Sequence, residues 1–350
     1  MSRVTRIRLA ILTAVVVLVA AGAGAERTRM WRQSNYDEFE KGTAKGVALR
    51  SDGKLVLAPR FTQFSDPNMA YLWALRLNSK GVLYAAGGSN AKVLRFDDKG
   101  TAAYGILEGW ELLPVRGTPF GDWEKTGARQ ALAATKLLVP VIPPTFYACG
   151  LNYAGHVRET AAKVGLPPTL PENADVGYRA NNALIAHGEA IVLPKDATEK
   201  VQYEGELVVV IGKKAKHLTR ENALDCVFGY TIGNDFSERS WQKSDRTMWR
   251  AKNTDTFKPM GPWIETDVDL DKLVTKIRVN GKQLIEFHTN DMIFGVVDFL
   301  VRMTRYLTLF PGDVIWMGTE GATENVKHGD VCEIEISGIG TLSNPIVRER

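Results

Sequence analysis

Glu204 and Glu206 stand two residues apart in Tyr203-Glu204-Gly205-Glu206-Leu207, at the head of the apolar run Leu207 to Ile211. On an extended segment, residues i and i+2 point to the same side. The two carboxylates therefore share one face at the edge of a strand that the apolar run drives into a core. Such neighbours repel each other unless a cation lies between them. A third acid, Asp235, ends the stretch Gly229-Tyr-Thr-Ile-Gly-Asn-Asp235. Three carboxylates without histidine or cysteine describe an oxygen cage for a hard divalent cation, Mg2+ or Mn2+, with positions left for water or substrate. The five histidines (156, 187, 217, 288 and 328) fall in no zinc-ligand spacing. By spacing alone, a Glu-x-Glu on a strand is most often a solvated face.

His156 and Glu159 are three residues apart, so a helical turn would bring them to one side. A carboxylate that orients an imidazole raises its basicity, and such a dyad activates water. A lone histidine near a lone glutamate is more commonly a surface pair. The glycines around His156 and the proline-bearing stretch from Gly165 to Asn182 suit a lid.

The elements that must hold these groups are mainly strands. Strands are predicted at Phe146–Leu151, Glu206–Ile211, Val227–Ile232, Thr275–Val279, Val314–Met317 and Val331–Ile336. One helix is predicted at Arg220–Cys226 with Thr219 as N-cap, and another at Phe294–Thr304. Pro311-Gly312-Asp313 reads as a turn before a buried strand. Many strands with segregated helices indicate an α+β fold with a β-rich core.

The motifs occur in a fixed order: Gly150-Leu-Asn-Tyr-Ala-Gly-His156-Val-Arg-Glu159, Glu204-Gly-Glu206-Leu207, Gly229 to Asp235, Arg239-Ser-Trp-Gln242, Lys252-Asn-Thr-Asp-Thr-Phe257, Gly261-Pro-Trp263, Pro311-Gly-Asp313 and Gly338 to Pro345. This set resembles the fumarylacetoacetate hydrolase family, strongly over about 200 residues and weakly over about 50 before them. The resemblance implies a mixed β-roll catalytic domain over residues 145 to 350, a small N-terminal β region over residues 93 to 144, and a homodimer. It places the metal carboxylates on Glu204, Glu206 and Asp235, and a water-activating dyad on His156 and Glu159. It also gives Lys252 charge stabilisation, and Arg239, Gln242, Tyr153 and Thr319 substrate binding. The implied substrate is a small keto acid. Cleavage of a carbon–carbon bond in a β-diketo acid or acylpyruvate is the first expectation. Isomerisation of a 2-hydroxymuconate-type diacid and decarboxylation of oxaloacetate are alternatives at the same site. An exported binding protein without activity is an alternative of another class. The chain departs from the family's pattern at Gly318-Thr319-Glu320, where relatives read Gly-Thr-Pro. It departs again at Tyr178-Arg179-Ala180, where they read Phe-x-Lys. Both departures are expected to touch the pocket and spare the cage.

The rest of the chain narrows the setting. With 350 residues, 45% hydrophobic and 24% charged, it has the composition of a globular protein. A net charge of +4 and no basic stripe give no footprint for nucleic acid. Arg3, Arg6 and Arg8 precede an apolar run from Leu9 to Ala21 and then small residues to Ala25. This is the layout of a signal peptide over residues 1 to 25, and it points to a periplasmic or secreted protein. An uncleaved anchor and a cytoplasmic location are the alternatives. Residues 26 to 92 read as a linker followed by two similar strand–turn–strand units, Val47 to Ala58 and Trp73 to Ala85, which resemble pieces of a β-propeller. Cys149, Cys226 and Cys332 each sit among apolar residues and read as buried thiols.

Overall fold

The computed structural model describes residues 91–126 and 129–350, and before them the backbone of four strands, Val47–Leu49, Leu55–Leu57, Tyr71–Leu77 and Leu83–Gly88. These four pair antiparallel as two hairpins, where the sequence repeats predict them. The first hairpin belongs to a unit that ends at residue 68, and the second to the unit holding the rest of the chain. The expected signal segment lies outside the described residues.

The larger sheet is organised around Gly205–Ile211, which is buried along its whole length. A continuous apolar run of this kind requires cover on both faces. Leu207, Val209 and Ile211 enter one hydrophobic cluster with Ile277, Ile334, Ile336 and the helix residues Phe299, Leu300 and Met303. Val208 and Val210 enter a second cluster with Met260, Ile264, Val314 and Trp316. The strand's two-residue alternation thus divides its side chains between two cores. Its neighbours are Val227–Asn234 and Val314–Trp316, both antiparallel to it. Phe146–Cys149 runs parallel to Val314–Trp316 and carries Val176–Tyr178 on its other edge. On the far side, Lys258–Glu265 pairs with Lys92–Asp98, the first strand of a meander continued by Thr101–Glu108 and Glu111–Gly117. The small N-terminal region therefore extends the catalytic sheet and closes over Leu94, Phe96, Leu107 and Leu112.

A second sheet is ordered Ile191–Leu193, Gly340–Arg348, Val331–Ile336, Val274–Val279, Lys282–His288. The predicted strand at Val331–Ile336 is observed with those limits, and the other predicted strands shift by one or two residues.

The helices differ more. Arg220–Cys226 forms only a 3-10 turn, Ala223–Cys226, and the capping roles are exchanged. Thr219 donates its N–H to the Asn222 side chain, and its own hydroxyl caps no helix. The later helix is Val296–Tyr306, two residues on from the prediction. Asn152 occupies both backbone groups of Phe294, and Asp298 accepts the Gly295 N–H. Ala154–Val164, Arg239–Ser244 and Trp249–Asn253 complete the helices that matter for the site. All three cysteines are buried and free. Among the described residues, no helix is long and apolar enough to cross a membrane.

Candidate metal centre and active site

Strand register builds the cage. Gly205 lies opposite Asn234, so Glu204 at the head of one strand meets Asp235 at the end of its antiparallel neighbour. The Asp235 N–H donates to the Glu204 carbonyl at 2.9 Å, and the Glu204 N–H donates to Asn234 Oδ1 at 2.9 Å. Gly205 between the two glutamates lets the second sheet approach. A Cβ there would lie 2.9 Å from Ile334 and 3.0 Å from Ile277. Glu204, Glu206 and Asp235 are all buried, and one oxygen from each lies within 4.8 Å of the others.

Four cations surround these acids. Lys252 Nζ bridges Glu204 Oε2 at 2.6 Å and Asp235 Oδ2 at 2.7 Å. Arg239 Nη2 pairs with Glu204 Oε1 at 2.6 Å, while Gln202 and Gln242 accept from its other nitrogens. Arg179 donates to both oxygens of Asp235, Nε to Oδ1 at 3.0 Å and Nη2 to Oδ2 at 2.9 Å. Lys258, fully buried, reaches Asp235 Oδ1 at 2.9 Å. Burial pushes the Asp235 carboxyl up, but Arg179, Lys252 and Lys258 together outweigh it and hold the group well below its ordinary range. Burial also raises Glu204, and Lys252 and Arg239 overcome it. Glu206 differs. It accepts one N–H, from Gly318 at 2.8 Å, and pairs with no cationic side chain among the described residues. Burial, then Asp235 and Glu204, push it well above the ordinary carboxylate value. A divalent cation between the three acids would relieve that strain. An all-oxygen, buried, converging donor set fits Mg2+ or Mn2+.

Lys258 carried no signal as a site residue in the sequence, and Arg179 stood out only as part of a departure from the family pattern. The Tyr178-Arg179-Ala180 departure was expected to spare the cage. It does not, because Arg179 grips a cage carboxylate.

A cavity of about 580 Å³ opens onto the cage and is lined by His156, Arg239, Gln242, Lys252 and Thr319, with Cys149, Val176 and Met248 as apolar wall. This is the size range of small-molecule sites. His156 and Glu159 lie on the helix Ala154–Val164, as their spacing suggests. Yet His156 Nδ1 is buried and makes no hydrogen bond among the described residues, so Glu159 does not orient it there. Burial lowers the His156 pKa, which favours the neutral ring. Thr319 is buried at the cavity and accepts the Gly321 N–H at 3.3 Å. Tyr153 is placed elsewhere than expected. It is 1% exposed, stacks edge-on against Phe287, and donates its hydroxyl to the Thr289 carbonyl at 2.5 Å. Its large ring fills the core beneath the helix Ala154–Val164 and leaves no free hydroxyl for a substrate. The neighbouring Asn152, which the sequence did not single out, ties the start of that helix to the carbonyls of Phe294 and Met317.

A mixed sheet with paired strand ends that present a buried triad of acids to a small cavity defines an enzyme of the fumarylacetoacetate hydrolase type. The chain belongs to that family. The family model for the fumarylacetoacetate (FAA) hydrolase C-terminal region matches residues 145–347, and one for the Rv2993c-like N-terminal region matches residues 91–140. Protein Rv2993c of Mycobacterium tuberculosis is 39% identical over 234 residues, which cover 66% of this chain and 86% of that protein. The mitochondrial oxaloacetate tautomerase Fahd2a of Rattus norvegicus is 32% identical over 248 residues, or 65% and 77% of the two chains. Among solved structures, a 5-carboxymethyl-2-hydroxymuconate delta-isomerase from Mycobacterium smegmatis superposes with a TM-score of 0.67 at 35% identity, over 74% of this chain and all of that one. A maleylpyruvate hydrolase from Sphingobium, in complex with manganese(II) and pyruvate, gives 0.61 at 25% identity with the same coverage. Such relatives act on small keto acids as isomerases, hydrolases and decarboxylases.

Proposed function

We propose that this protein is a Mg2+- or Mn2+-dependent isomerase that interconverts keto and enol forms of a small 2-oxo diacid. The observation that carries this reading is His156, a half-buried imidazole at the cavity whose buried Nδ1 has no hydrogen-bond partner among the described residues. Water activation calls for a histidine braced by a carboxylate, whereas moving a proton between carbon and oxygen of one substrate needs only a neutral base at the right place. The tautomerase and isomerase among the similar proteins support the same choice.

The cation, when bound to Glu204, Glu206 and Asp235, would polarise the substrate carbonyl as a Lewis acid. The chain's own groups do the rest. Arg239, held in place by Gln202 and Gln242, offers a planar guanidinium to a substrate carboxylate. The Lys252 ammonium faces the negative charge that develops on the substrate oxygen. His156 takes the proton from the carbon beside the carbonyl and delivers it to the carbonyl oxygen as the C=C bond forms, and the reverse transfer restores the keto form. Cleavage of a carbon–carbon bond is the second reading, favoured by Glu159 one turn from His156 on the same helix.

The test is product analysis with enol-oxaloacetate, a hydroxymuconate-type diacid and an acylpyruvate, each with Mn2+ and with EDTA. Metal-dependent isomerisation that is lost in His156→Ala is expected. Acylpyruvate cleavage without any isomerisation would reverse the order of the two readings. Full activity in EDTA would remove both. We also take the protein to be an exported homodimer, to be checked by mass spectrometry of its mature N-terminus and by light scattering.

A further inference from the structure

Asp235 is gripped more heavily than a cage ligand requires. A carboxylate has about four lone-pair sites, and Asp235 receives four contacts from cationic groups, two from Arg179 and one each from Lys252 and Lys258. Arg179 and Lys252 line the cavity, and both reach Oδ2. Lys258 approaches from inside the protein and reaches Oδ1. Its ammonium has three protons and three acceptors: Asp235 Oδ1, the Phe236 carbonyl and the Phe257 carbonyl, each at 2.9 Å. Every proton of this buried ammonium thus has an acceptor.

We infer that Lys258, a buried cation held against Oδ1 of Asp235, keeps the metal site's affinity for divalent cations low. The inference rests on the cage reading of Glu204, Glu206 and Asp235. Two effects of Lys258 oppose each other. Its bond to Oδ1 orients a ligand, and loss of such support ordinarily weakens metal binding. Its positive charge, one carboxylate away from the metal position, repels a divalent cation. The structure decides between them, because Arg179 Nε also holds Oδ1, at 3.0 Å. Orientation survives removal of Lys258, and the repulsion does not. Arg179, Arg239, Lys252 and Lys258 set four cationic side chains against the three acids of the cage. A metal ion is then held firmly only when an anionic substrate joins it.

Mn2+ titration followed by electron paramagnetic resonance of the free ion, at about pH 7 and without substrate, tests this in the full chain. The variant Lys258→Met keeps the length of the side chain and removes its charge, and Lys258→Gln keeps a donor as well. Either one, folded, is expected to bind Mn2+ at least about tenfold more tightly than wild type. A role confined to folding would shift the melting temperature and leave the affinity alone. Unchanged or weaker Mn2+ binding in a folded variant overturns the inference and leaves the cage reading intact. If neither variant folds, wild type decides: affinity in the high micromolar range or weaker supports the inference, and nanomolar affinity overturns it. Absence of Mn2+ binding in wild type and both variants would remove the cage reading itself, and this inference with it.

Discussion

Gly321 backs directly onto the proposed proton carrier, and its replacement by alanine gives a sharp expectation. At φ +112° the residue adopts a backbone conformation that other side chains rarely tolerate. A Cβ at this position would lie 2.6 Å from His156 Nδ1 and 3.2 Å from Cε1. Ordinary contact begins at 3.4 Å, so the ring must retreat by about 0.8 Å, and a misplacement near 1 Å lowers a rate by about 100-fold. The backbone strain adds roughly 1–2 kcal/mol, which corresponds to a fall in melting temperature of roughly 2–8 °C. Gly321→Ala should therefore lower kcat of isomerisation by one to two orders of magnitude while Mn2+ affinity stays at the wild-type value, because Gly321 touches no cage carboxylate. Gly281→Ala is the control. It has φ +78° and open space around it, so it carries the strain without the collision and should keep full activity. A folded Gly321→Ala protein with kcat within about threefold of wild type would show that His156 does not move the proton.

Three other expectations follow from particular groups. Glu206→Gln should weaken Mn2+ binding sharply yet raise the melting temperature of the chelated protein, because Glu206 is the acid held above its ordinary pKa by burial and by Asp235 and Glu204; a lower melting temperature in EDTA would contradict this. Thr231 Oγ1 is buried with no hydrogen-bond partner among the described residues, so Thr231→Val should stabilise by about 1 kcal/mol, read as a rise of roughly 2–4 °C in a thermal scan. His187 accepts the Ser343 N–H at Nδ1, at 3.2 Å, and burial lowers its pKa below 6.5. Between that lowered value and 6.5 the unfolded chain binds a proton that the native protein does not. Stability should then fall as the pH drops through this window and level off below it. His187→Gln should flatten that slope, and an unaltered pH profile of melting would count against the assignment.

The parts of the site that were legible in the sequence are those carried by local spacing. Glu204 and Glu206 sit on one short strand edge, and Asp235 ends a second apolar strand, so pattern and order sufficed to find them. Arg179 and Lys258 escaped because they reach Asp235 from other segments, Arg179 across 56 residues, and a single cation leaves no periodic trace. The helices Arg239–Ser244 and Trp249–Asn253 escaped for a related reason. They are six and five residues long, too short for an apolar stripe, and are held by the carboxylates of Glu238 and Asp245 accepting the N–H groups of Trp241 and Ala251. Tyr153 shows the opposite failure. Its place in an ordered motif implied contact with substrate, whereas its buried ring and its bond to Thr289 make it a foundation for the helix. The motif order alone favoured carbon–carbon hydrolysis. The proposed preference for isomerisation draws on a feature that motif order does not carry, the missing hydrogen-bond partner at His156 Nδ1 among the described residues.

The bonds of Asn152 to Phe294 and Met317, with that of Tyr153 to Thr289, fasten the start of the helix Ala154–Val164. A tilt of the helix would therefore have its fulcrum at residues 152–153. At about 1.5 Å per residue, His156 lies close to the fulcrum and the far end near Val164 lies about three times as far away. A swing that opens the mouth widely would move the imidazole little. Access and proton transfer can therefore vary independently, and substitutions near the outer end should alter how fast substrate enters and product leaves without disturbing the chemical step.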